Sequence, residues 1–107
     1  MANNFKNAKL DLTTTNATTL YTCPSATTSV VKSILVSEDS GNADTITLTL
    51  TNASAAVFSL FKVKAVGANT TVELLTAPLV IEEDEILKAT AATANRLHVV
   101  ASLLEVS

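Results

Sequence analysis

The sequence predicts an all-β fold, a single antiparallel β-sandwich of the jelly-roll or immunoglobulin-like kind with about eight strands. Three observations lead there: apolar residues alternate strictly with threonine from Thr45 to Thr51, short polar breaks recur about every ten residues, and no stretch has a helical period. The chain has 107 residues, near the usual size of one domain, and 48% of them are apolar against 16% charged. That balance suits a folding chain rather than a disordered one, so one domain over residues 1–107 is expected, with residues 1–7 as a candidate N-terminal arm.

In chain order the expected strands are 8–13, 18–22, 29–37, 45–51, 57–66, 70–75, 86–92 and 97–106. The stripe at 45–51 is the clearest: Ile46, Leu48 and Leu50 share one face and the four threonines share the other, where a branched β-carbon favours the pleated backbone. Residues 38–44 are rich in turn formers, which predicts an antiparallel hairpin between the strands on either side. In 57–66 the apolar set changes phase between Leu60 and Phe61, as a bulge or a crossing between sheets would produce. Aliphatics lie on both faces of residues 97–104, so that strand is either central or covered by another subunit. With two glycines and two prolines, most turns must rely on Asn, Asp, Ser and Thr.

Composition argues against several function classes. A formal charge of −3 with seven scattered basic residues supplies no field for a phosphate backbone, so no nucleic-acid partner is expected. Aromatics are 4% of residues, too few for the stacking platforms of sugar or single-strand sites. No apolar run approaches the roughly 20 residues that cross a bilayer, and the start is polar, so no membrane association is expected and the protein is placed in a cytoplasm-like compartment.

Candidate chemistry is thin. Cys23 is the single cysteine and precedes Pro24, which fits a small structural filler and excludes an internal disulfide. His98 is the single histidine, with no second one to complete a metal site or relay. The run Glu82, Glu83, Asp84, Glu85 is read as a solvated turn rather than a calcium loop, since its carboxylates are contiguous and no glycine provides the bend. No serine lies in a glycine-flanked elbow, and three Asn-x-Ser/Thr triplets, at Asn16, Asn52 and Asn69, are read as chance. No catalytic residue, cofactor or metal is therefore expected. One aromatic, Phe5, stands alone in the polar start. It would either anchor an arm on a neighbour or close the end of its own sandwich.

Several segments together resemble small virion proteins of tailed bacteriophages, particularly those infecting cyanobacteria and other aquatic bacteria. They are residues 5–10 (FKNAKL), 19–24 (TLYTCP), 31–36 (VKSILV), 72–75 (VELL) with Pro78 and Leu79, and 101–106 (ASLLEV). The resemblance spans most of the chain through strand and turn patterns rather than a site motif. It implies a non-enzymatic β-sandwich that decorates or cements a capsid, with a neck, tail or fibre component, including a receptor- or glycan-binding module, as the alternative. Its partners would be the major capsid protein or other virion proteins and further copies of itself, as a trimer or hexameric ring, assembled in the host cytoplasm. Interface residues expected on this basis are Phe5, Leu97, Val99, Val100, Leu103 and Leu104.

Overall fold

The computed structural model describes residues 3–107, and all of its regular structure is β. Nine strands follow in order: β1 (Asn3–Asp11), β2 (Thr18–Thr22), β3 (Thr28–Glu38), β4 (Asp44–Thr51), β5 (Val57–Val66), β6 (Thr71–Glu73), β7 (Leu79–Ile81), β8 (Ile86–Ala91) and β9 (Leu97–Val106). One sheet has the order β1-β9-β3, with β6 and β7 pairing successive parts of the far side of β3. The other has the order β2-β8-β4-β5. All pairings are antiparallel, and successive strands mostly alternate between sheets, the connectivity of a jelly roll. An all-β sandwich is therefore what the chain forms.

Period-two patterning explains which residues meet between the sheets. From β9, Leu97, Val99, Ala101 and Leu103 point inward; from β3, Val31, Ile34 and Val36; from β4, Ile46 and Leu48; from β8, Leu87, Ala89 and Ala91. Full burial of each large aliphatic among them contributes roughly 1.5–3 kcal/mol. Inward phase in β3 is kept by a bulge. The register with β9 shifts between Val31 and Ser33, so Lys32 is pushed outward and Ile34 returns to the core.

The hairpin expected at residues 38–44 does not form. Here β3 ends in one sheet and β4 begins in the other, where its partners are β5 and β8. The same turn formers serve a corner between sheets, and crossing lets the apolar faces of β3 and β4 oppose each other across the core. Glu38 holds the corner, its carboxylate accepting hydrogen bonds from the Ser40 and Gly41 amides, the Ser40 hydroxyl and the Asn69 amide. The in-sheet hairpin is β4–β5, where Asn52 Oδ1 accepts the Ser54 and Ala56 amides.

The phase change in 57–66 is a bulge. Register with β4 shifts twice, and Lys62 and Val63 together oppose Thr47, whose hydroxyl accepts the Val63 amide at 3.1 Å. Val63 has φ 53°, a left-handed conformation that β-branched residues rarely adopt. Phe58 pairs with Leu50 but is 52% exposed, since it lies near the start of β5 on the free edge of its sheet. Strand 97–106 is central, flanked by β1 and β3. The turns draw on Asn69, Asp84 and Asn95 for left-handed backbone, but Ala26 and Ala55 adopt it as well.

Candidate functional site

The outer face of the β1-β9-β3 sheet is where apolar side chains meet solvent. Register places Phe5 of β1 beside Leu104 of β9, Leu104 beside Val30 of β3, and Val30 beside Val80 of β7, a row across four strands. Phe5 is 76% exposed and Val80 53%. Lys32 lies with Nζ 5.7 Å from the Phe5 ring centroid, an attractive cation–π geometry. Farther along the same face Leu35 pairs with Val100, and both are partly exposed. Scattered surface aliphatics need no explanation, whereas these are aligned in a continuous row on one sheet face.

The six expected interface residues divide by strand phase. Phe5, Val100 and Leu104 lie on this outer face, while Leu97, Val99 and Leu103 are buried in the chain's own core and leave the interface set. The physical reason is alternation: successive β9 side chains point to opposite faces, so one strand cannot offer them all outward. Phe5 does not close its own sandwich, since residues 3–7 form the first half of β1, paired with the end of β9. Of the expected arm, Met1 and Ala2 lie outside the described residues. Val30, Leu35 and Val80 were not singled out from sequence. A signal was present in the doublets Val30-Val31 and Leu35-Val36, which furnish both faces of one strand just as Leu103-Leu104 does.

At one end of this face His98 lies between two carboxylates, with Nε2 3.3 Å from Asp11 Oδ1 and Nδ1 3.6 Å from Asp39 Oδ2. A protonated ring would pair ionically with both and tie β1 to the β3–β4 corner. At the opposite end a polar chain threads between the sheets. The Tyr21 hydroxyl donates to Glu105 and lies 2.6 Å from Ser29 Oγ, which is 3.3 Å from Cys23 Sγ, while Lys6 Nζ is 3.5 Å from Glu105. Burial and the bond to Glu105 push the Tyr21 hydroxyl well above its ordinary value, so it acts as a donor and not as a base. Cys23 is fully buried, its thiol 3.3 Å from the Thr27 carbonyl. A buried thiol with no adjacent imidazole is a packing group.

The acidic run forms the β7–β8 turn and uses its carboxylates on neighbouring backbone. Glu85 Oε1 accepts the Glu82 amide at 2.8 Å, Glu83 accepts the Ala26 amide, and Asp84 accepts the Ser25 hydroxyl at 3.0 Å. Among the described residues no group of three or more His, Cys, Asp or Glu side chains is arranged to hold a metal ion. Two carboxylates are structural. Burial pushes the Glu38 carboxyl up, but its hydrogen bonds outweigh that and bring it down to about 2. Glu73 shows the same contest: burial raises its carboxyl, and bonds from the Ser33 hydroxyl and the Ile34 and Leu75 amides pull it below the ordinary range.

No protein-family model matches the sequence, and no curated protein matches it. Among solved structures the chain is similar to a subunit from Bacillus endospore appendages, described as a novel family of disulfide-linked pili. The identity is 7%, the TM-score 0.60, and the match covers 99% of this chain and 87% of that one. It is also similar to a chain of infectious bursal disease virus, Gt strain, at 12% identity and TM-score 0.47, covering 98% of this chain and 30% of that chain. At such low identity the first likeness establishes a shared fold: two packed antiparallel β-sheets in this chain and in a pilus subunit.

Proposed function

We propose that the protein is a non-enzymatic structural subunit of a tailed-bacteriophage particle, a capsid decoration or cement protein acting through protein–protein contacts. One observation carries the assembly role: the outward-facing row of exposed Phe5 and Val80 with half-buried Leu104 and Val30 on the face of one sheet. The phage assignment is supported by the strand patterns shared with small virion proteins. Sharing a fold with a subunit of pili, which are repeating assemblies, agrees with a subunit role, although Cys23 is too deeply buried to cross-link one copy to another. Cementing sums modest interfaces over many copies, so the contact on each copy need not be large.

Copy number in purified particles tests this. Hundreds of copies are expected for a capsid role; six or twelve would indicate the neck or tail instead, and absence from particles would reject the virion assignment. Phe5→Ala should lower particle retention while leaving the melting temperature within about 4 °C, since surface substitutions rarely exceed about 0.5 kcal/mol. Equal loss of retention and stability would reject the contact role of this face.

A further inference from the structure

The two sheets present four lateral edges, and three of them are blunted. Strand β2 is five residues long, and its register with β8 shifts between Thr19 and Tyr21. Strand β5 is bulged twice and carries Lys62, the left-handed Val63 and Lys64. The β6/β7 edge is split into two three-residue strands separated by a segment containing Pro78, and Glu73 covers the Ile34 amide in the gap. These are the devices by which β-proteins prevent edge pairing. Strand β1 carries two lysines, Lys6 and Lys9, but it is neither short, bulged nor interrupted: its nine residues pair with β9 in one unbroken register, and among the described residues no strand pairs with its outer side.

The direction of the unpaired groups follows from the ladder. The Leu12 amide donates to the Leu97 carbonyl at 3.0 Å, which continues the β1–β9 register and assigns the even-numbered residues of β1 to the hydrogen-bonded pairs with β9. Asn3, Phe5, Asn7, Lys9 and Asp11 therefore direct their backbone N–H and C=O groups to the open edge.

We infer that this edge pairs with β1 of a second copy, antiparallel about a two-fold axis through Asn7, merging two five-stranded sheets into one. That axis sets Asn7 against Asn7, Phe5 against Lys9 and Asn3 against Asp11. It pairs every residue of β1, gives each outward residue an outward partner, and adds a Lys9–Phe5 cation–π contact between copies. An axis through Lys6 or Lys9 instead sets that ammonium against its own copy. An axis through Ala8 runs Asn3 and Asn4 past the strand end, opposite Thr13 and Leu12, and one through Phe5 leaves Leu10 and Asp11 without partners and sets Ala8 and Lys9 opposite residues before the described strand.

The isolated full-length protein decides this, whatever particle it belongs to; absence from phage particles would leave the pairing intact. Light scattering is expected to give the mass of two chains for the wild type and one chain for Asn7→Pro. The Asn7 amide is unused within the monomer, and proline is tolerated on an edge strand whose N–H faces outward, so the variant should keep a cooperative melt. Asn7→Cys should form a disulfide-linked dimer under mild oxidation, because hydrogen-bonded partners have Cα atoms about 5.5 Å apart and Cys23 is buried. Lys9→Cys should not, since its copy lies four residues along the partner strand, about 13 Å away, beyond disulfide reach. A one-chain mass for the wild type with no cross-linking of Asn7→Cys would overturn the pairing. Cross-linking of Lys9→Cys as efficiently as Asn7→Cys would overturn the register.

Discussion

Replacing Tyr21 by Phe keeps the ring in place and removes one oxygen from the polar chain between the sheets. Glu105 is nearly buried and receives the Tyr21 hydroxyl together with Lys6, whose ammonium is half-exposed at 3.5 Å. A half-exposed lysine is screened by water and contributes little, so the hydroxyl is the main support of that carboxylate. Losing a hydrogen bond to a buried charged group costs about 2 kcal/mol, which in a domain of this size lowers the melting temperature by roughly 8–16 °C. Glu105→Gln keeps an acceptor and gives up the charge, at a cost of about 1 kcal/mol. Because both changes act on the same bond, the double variant should be more stable than the sum of the single losses implies, by about 1 kcal/mol. Thermal and urea unfolding of the four proteins measures this cycle. A Tyr21→Phe melting temperature within about 2 °C of wild type, or strict additivity in the double variant, would refute the coupling.

Glu38 should govern acid stability. Its carboxyl falls from the ordinary 4.5 in the unfolded chain to about 2 in the fold, so its contribution is complete above 4.5 and is lost as pH drops through about 2. Urea titrations should show Glu38→Gln destabilised at pH 7, with the gap to wild type closing as the pH falls from 4.5 toward 2; a constant gap would be the contrary result. Val63→Gly should raise stability by about 1 kcal/mol, since glycine relieves the left-handed strain at a mostly exposed position; a loss in chemical denaturation would show that the conformation is not strained. Leu48→Ala should cost about 2–5 kcal/mol in the same assay. Phe58→Ala, at an edge position 52% exposed, should cost less than about 1.5 kcal/mol, and equal costs would place Phe58 in the core.

Legibility in the sequence differed between particular residues of the site. Leu104 and Val100 were visible as the second apolar face of the last strand, and Phe5 as a lone aromatic in polar surroundings. Val80 was not, because β7 is three residues long, too short for a period-two pattern to register, and becomes a strand only through its pairing with Val30. Leu97, Val99 and Leu103 were grouped with Leu104 because composition does not reveal which face of a two-faced strand will meet the other sheet. Residues 1–7 are a candidate arm on sequence because they are polar around the lone Phe5; residues 3–7 become strand by pairing with residues 102–106 of β9, at the opposite end of the chain.

Local patterning by itself determined that this chain is all-β, that Ile46 and Leu48 face inward beneath threonines, that 57–66 is irregular, and that 97–106 carries aliphatics on both faces. Those properties follow from side-chain alternation within a single strand, which the sequence contains in full. Tertiary structure alone decided that β3 and β4 lie in different sheets, that Phe5, Leu104, Val30 and Val80 form one row, and that β1 keeps a regular open edge. Each depends on which strands lie side by side. That is settled by how the two apolar faces close over one core and where backbone N–H and C=O groups find partners, a balance summed over the whole chain.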